Sequence, residues 1–216
     1  MLDLTSWTER WKNAVLDEFG PERVRFLGIQ GSRARGEARE NSDIDAVVIL
    51  DRFDAADAER YRRCVSDLPE RDKLCGFVSG EAELAAWPHS ELYQFCLDTE
   101  PVLGSLEQYA ASVTERDVLE SARVGLGAVY HAGVHNLIHA RDEAALAELC
   151  KAAFFALRAV HRVKTGETLR TRAELAAARP EDADIICGEL KGTFEERSTR
   201  LIRWSSELLR RLAACG

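Results

Sequence analysis

Apolar positions along the chain follow two regimes. Up to about residue 104, short apolar runs alternate with helical stretches, and from residue 114 onward the helical period alone persists. Trp7, Trp11, Val15, Leu16 and Phe19 mark one face of a first helix, with Ser6 and Thr8 as candidate caps and Gly20-Pro21 as its stop. Strands are predicted over 24–29 and 43–50, joined by a short helix from Ser32 to about Glu37. The second strand is almost wholly apolar after its aspartates, which predicts a central strand covered on both faces. A helix beginning at Asp54 or Ala55 and reaching Leu68 would turn Tyr61, Cys64, Val65 and Leu68 inward. A third strand is expected over 71–79, and helices over 81–86 and 90–97. Asp98-Thr99-Glu100-Pro101 reads as a turn before a last short strand at 102–104.

Five helices follow, over 114–140, 142–165, 171–178, 181–191 and 194–214, with Gly166, Pro180 and Gly192 as stops. The change near 105–114 predicts an α/β domain over 1–110, with a small mixed sheet, and an all-α helical bundle over 111–216. The 46% hydrophobic and 31% charged residues are those of an ordinary soluble protein. A formal charge of -8 weighs against nucleic acid or an anionic membrane as partner. No run approaches a membrane span and no signal-like segment opens the chain, so a cytoplasmic location is expected. Cysteines 64, 75, 96, 150, 187 and 215 form no close pair, which suits reduced thiols.

The chemistry concentrates in GSRARGEARENSDIDAVVIL, residues 31–50. A side-chain period of two places Asp43 and Asp45 on one face of the second strand. Two adjacent carboxylates do not both stay ionised without counter-charge, and oxygen-only ligands suit magnesium or manganese. Gly31-Ser32, opening the short helix, can offer backbone N–H groups to an anion. Arg33 and Arg35 are the nearest cations, and one of them could neutralise a leaving pyrophosphate.

Gly31-Ser32, Ala34, Gly36 and then Ser42-Asp43-Ile44-Asp45 resemble the signature of the nucleotidyltransferase superfamily that includes DNA polymerase β, and within it the minimal and antibiotic nucleotidyltransferases. The resemblance implies transfer of a nucleoside monophosphate, AMP from ATP, to an acceptor hydroxyl with release of pyrophosphate. It implies two metal ions held by Asp43, Asp45 and a third acid from about the third strand. Residues 74–78 hold no acid, so Asp72 is the nearest candidate, with Asp98 and Glu100 as alternatives. The nucleotide would lie against Gly31, Ser32, Arg33 and Arg35, and Lys151 resembles in placement a bundle lysine that some relatives send to the triphosphate. The bundle would shape the pocket of a small, aminoglycoside-like acceptor, and a homodimer is compatible with the chain.

His131, His135 and His139 share a helical face, but with no third ligand in the pattern they read as core or pocket-lining residues. Two rival functions are a protein-modifying, antitoxin-like nucleotidyltransferase and a catalytically weak nucleotide-binding module, the latter suggested by the weak third acid.

Overall fold

The structure is a computed structural model that describes residues 2–214; Cys215 lies outside the described residues. Contacts divide the chain into two units, one of residues 1–88 and 95–112, the other of 89–94 and 113–216.

The first unit begins with α1, Leu4–Phe19, capped by the side chain of Asp3 on Ser6 N rather than by Ser6 or Thr8. It continues through β1 (Val24–Gln30), α2 (Gly31–Ala34), β2 (Ile44–Leu50), α3 (Ala55–Cys64), β3 (Leu74–Gly80), α4 (Glu81–Ala85), the last four residues of α5 (His89–Asp98), β4 (Thr99–Leu103) and α6 (Glu107–Ala110). The sheet is four-stranded and mixed, in the order β3-β2-β1-β4. β1 is antiparallel to β2 and β4, whereas β2 and β3 are parallel.

As its composition requires, β2 is central and apolar. Ile44, Ala46, Val48 and Leu50 join Trp7, Trp11, Val15 and Phe19 in one core cluster, so α1 covers one face of the sheet. On the other face Phe77, Trp87 and Phe95 form an edge-to-face trio with centroids 4.8–6.0 Å apart. Arg23, just before β1, binds the buried Asp57 of α3 through two nitrogens at 2.9 Å each. Among the described residues no helix is long and apolar enough to cross a membrane.

Several boundaries differ from the sequence pattern, each for a local reason. The short helix stops at Ala34 instead of Glu37, because Gly36 turns at φ +71° and the Arg35 side chain is drawn inward. Asp72 falls in a 3-10 turn, Arg71–Lys73, ahead of β3 rather than within a strand. The expected turn at 98–101 is instead the end of α5 and the start of β4. Pro101 is tolerated there because β4 is an edge strand, paired only with β1.

The second unit packs α7 (Glu115–His135), α8 (Glu143–Thr165), α9 (Arg172–Ala178), α10 (Ala183–Ile186) and α11 (Phe194–Ala213) around a separate core. That core includes Leu126, Phe154, Leu157, Leu201 and Trp204. Helices α7, α9 and α11 each start with a capping box, at Thr114, Thr171 and Thr193. α7 widens into a π turn, Asn136–Ala140, where buried Asn136 exchanges two 2.9 Å hydrogen bonds with the backbone of Asp142. The helix expected over 181–191 reduces to a 3-10 turn, Pro180–Asp182, and the single turn of α10, since the chain bends at Gly188 (φ +70°).

Candidate active site

The site forms where β1 ends and β2 begins. Gly31 leaves β1 at φ +76°, a conformation that side chains other than glycine rarely adopt. A Cβ built on it would lie 2.3 Å from Asp45 Oδ2, so the carboxylate rests directly against the glycine. The two halves of the sequence motif therefore meet in space. α2 has no side-chain N-cap, and the first N–H groups of any helix lack partners within it. Ser32 is half-buried at this corner.

Asp45 is half-buried within β2, whereas Asp43 is exposed and lies just ahead of the strand, which begins at Ile44 rather than at residue 43; its charge still acts on Asp45. Burial raises the Asp45 carboxyl above the ordinary range, and the negative charges of Asp43 and Asp98 push it the same way. Arg35 and Arg33 offset part of that rise. The corner is thus a place where added positive charge would be favourable.

The two arginines are held by the protein itself. Arg33 donates from Nε to the Asp43 carbonyl at 2.9 Å and from Nη2 to that of Ser42 at 2.5 Å. This ties the loop that delivers Asp43 back onto α2. The Arg35 side chain is 5% exposed; its Nη1 spans both Asp98 oxygens at 2.7 and 2.6 Å while Nε binds Glu37 at 2.8 Å. Both reach the site as braces. Sequence periodicity has no signal for this, because the partner acid is 63 residues away.

Registers place the acids proposed to complete the set. Cys75, Asp45, Gln30 and Thr99 lie side by side across the sheet, with Gln30 Nε2 3.2 Å from Thr99 Oγ1. The β3 position beside Asp45 is therefore the exposed Cys75, not an acid. Asp72 is exposed in the turn before that strand. Asp98 is buried and its charge acts on Asp45, but its carboxylate is gripped by Arg35. Glu100 pairs with Ile29, which pairs with Ala46, so it belongs to the opposite face of the sheet from Asp45. Among the described residues no group of three or more His, Cys, Asp or Glu is placed to hold a metal ion. Lys151 is on α8 in the helical unit, 61% exposed and 2.6 Å from Glu148. Period-two reasoning singled out Asp43 and Asp45 as a pair, although Asp43 precedes the strand; Gln30, Thr99 and Cys75 became neighbours of Asp45 only through strand register.

Contrary to the core reading, His131, His135 and His139 are all exposed. The apolar stripes of α7 that face the core run through Val118, Ala122, Leu126 and Val129 instead.

Comparison with known proteins agrees with this geometry. The model of the nucleotidyltransferase domain matches residues 9–95. No curated protein sequence matches the chain. Among solved structures, spectinomycin adenyltransferase AAD(9) from Enterococcus faecialis, crystallised with ATP and spectinomycin, superposes with a TM-score of 0.53. The two share 15% identity over 94% of this chain and 99% of that one, a likeness of fold. A toxin-antitoxin structure with AMP-PNP covers 49% of this chain and 82% of its own at 17% identity, but its TM-score of 0.37 is too low to support a shared fold. The glycine-serine corner and the aspartate pair both lie within residues 9–95, the stretch over which this chain matches the nucleotidyltransferase domain model.

Proposed function

We propose that the protein transfers AMP from ATP to a hydroxyl of a small-molecule acceptor and releases pyrophosphate. The observation that carries this reading is the Asp45 carboxylate lying against Gly31, with Asp43 near enough for its charge to act on Asp45. In the reaction a bond forms between the acceptor oxygen and the α-phosphorus. The bond from that phosphorus to the pyrophosphate oxygen breaks, and the acceptor proton passes to base or solvent.

The donors fit a hard divalent cation such as magnesium or manganese. Asp43 and Asp45 are oxygen donors, and the Asp45 carboxyl, raised first by burial and then by the charges of Asp43 and Asp98, would gain from a bound cation. They are the residues that would hold it, with Asp72 the nearest acid ahead of β3. When bound, such ions neutralise phosphate charge and favour ionisation of an attacking hydroxyl. The chain's own residues do the positioning. Gly31 lets the phosphates approach the backbone, and Ser32 offers a hydroxyl and an N–H. Arg33 keeps Asp43 on station through the carbonyls of Ser42 and Asp43. Arg35, anchored by Asp98 and Glu37, adds positive potential beside Asp45 without leaving its ion pairs. An aminoglycoside-like acceptor is supported by the chain's acidity and by the fold shared with a spectinomycin adenyltransferase.

The test is a screen of α-labelled ATP with magnesium against pooled aminoglycoside and aminocyclitol acceptors, wild type beside Asp45→Asn. Label should move to an acceptor with the wild type alone. Equal transfer by Asp45→Asn would remove the reading. A second reading, a nucleotide-binding module without turnover, is favoured by Cys75 standing beside Asp45 where an acid is expected. Under that reading ATP binds, and no acceptor yields pyrophosphate.

A further inference from the structure

The 17 residues from Val124 to Ala140 contain no Asp, Glu, Lys or Arg, in a chain that is 31% charged. The stretch forms the C-terminal half of α7 and its π turn. Its inner positions are buried, as in Leu126, Val129 and Gly133, and its outer face exposes Val124, Ala128, His131, His135, Ile138 and His139. Val124, Tyr130 and Ile138, the exposed large hydrophobics among the described residues, all lie on it. Imidazole is therefore the only strong donor this outer face presents.

Two of the imidazoles are already together. The rings of His135 and His139 stand 4.9 Å apart at a tilt of 50°. The π turn helps bring this about, because i→i+5 bonding widens the helix and moves residues four apart closer to eclipse. His131 stands one turn back on the same face. The arginines that flank the uncharged stretch are directed elsewhere. Arg123 donates to the Leu212 carbonyl at 2.7 Å; Arg141 pairs with Glu195 and stacks over Phe194. No neighbouring cation on this stretch repels an incoming metal ion.

We propose that His135 and His139 form a two-point chelate for a late first-row divalent cation, nickel, copper or zinc, on the exposed face of the helical unit. Paired histidines four apart on a helix are a known zinc-binding geometry, and imidazole suits these metals where carboxylate suits magnesium. The pair supplies two ligands, so water completes the shell, in keeping with the lack of any group of three ligands among the described residues. The site is separate in chemistry from Asp43 and Asp45, whose oxygen donors suit the harder ions.

The experiment is titration calorimetry on the tag-free full chain with nickel, copper, zinc and magnesium. About one nickel ion per chain should bind, copper should bind more tightly than nickel, and excess magnesium should not displace either. His135→Ala and His139→Ala should each weaken nickel binding roughly 10²-fold, because a chelate becomes a single contact. His131→Ala should cost less than His139→Ala. All three side chains are exposed, so far-ultraviolet circular dichroism should be unchanged. Independently, paramagnetic nickel should broaden the His135 and His139 ring resonances of the wild type before any other. Unchanged affinity in His135→Ala, displacement of nickel by magnesium, or first broadening elsewhere would each overturn the proposal.

Discussion

Replacing Gly31 by alanine tests the geometry of the corner most directly. The new Cβ would fall 2.3 Å from Asp45 Oδ2, whereas ordinary contact begins near 3.4 Å, so the carboxylate must retreat by about 1 Å. A displacement of that size at a reacting centre costs about 10²-fold in rate. The backbone contributes separately, because alanine at φ +76° is strained by about 1–2 kcal/mol. For a chain of this length that lowers the melting temperature by roughly 2–8 °C. Gly36 supplies the control. It has nearly the same conformation, φ +71°, but a Cβ there meets nothing within 4 Å. Gly36→Ala should therefore share the loss of stability and keep its turnover, while Gly31→Ala loses both. The assays are thermal denaturation and transfer of label from ATP, with magnesium-ATP affinity as a parallel readout. If Gly31→Ala folds and transfers label at the wild-type rate, Asp45 is not the group that the glycine accommodates.

Other consequences concern the fold and the thiols. Arg23 holds the Asp57 carboxyl below its usual range, so their pairing contributes stability that is present above the unfolded-state value of about 3.9 and lost as pH falls through the depressed one. Urea unfolding at pH 7 should show Asp57→Asn less stable than wild type by about 3–5 kcal/mol, a gap that narrows toward pH 2; a gap independent of pH would refute the ionic origin. Trp11 is fully buried and donates Nε1 to Tyr61 at 3.2 Å; Trp11→Ala should cost about 3–5 kcal/mol in the same assay, and a loss under 1 kcal/mol would show that α1 does not cover the sheet as described. Burial pushes the Cys64 and Cys96 thiols up to about 11, whereas Cys75 and Cys187 are exposed. Mass-spectrometric mapping after brief alkylation at pH 8 should find Cys75 and Cys187 labelled ahead of Cys64 and Cys96. Magnesium-ATP should protect Cys75, the register neighbour of Asp45, and not Cys187.

The braces around the site bear on how far the motif alone can be trusted. Arg33 and Arg35 stand in the stretch that carries the resemblance, and their charge suggests phosphate ligands. In the folded chain one binds loop carbonyls and the other a buried acid. A buried arginine with bidentate acid contacts does not leave them without exposing Asp98, which is 4% accessible, as an unpaired charge. Under the proposed function, its effect on a nucleotide would be exerted through the potential at Asp45 rather than by contact.

What could be read from residue order was whatever depends on local period and local chemistry. The amphipathic face of Trp7, Trp11, Val15 and Phe19, the apolar run of β2 and the change to helices after about residue 110 each leave a repeat in the chain. The spacing of Asp43 and Asp45 suggested one face of a strand, but β2 begins at Ile44 and leaves Asp43 in the loop before it. Folding had to supply what depends on residues distant in sequence. Cys75 rather than an acid stands beside Asp45 because β3 pairs with β2 in that register. Asp98 is buried and claimed by Arg35 because α5 runs on to residue 98, where a turn was expected. His135 and His139 face solvent because the core of the helical unit takes the other side of α7. Periodicity specifies a face, but which face meets the core and which meets water is settled by the packing of elements far apart along the chain.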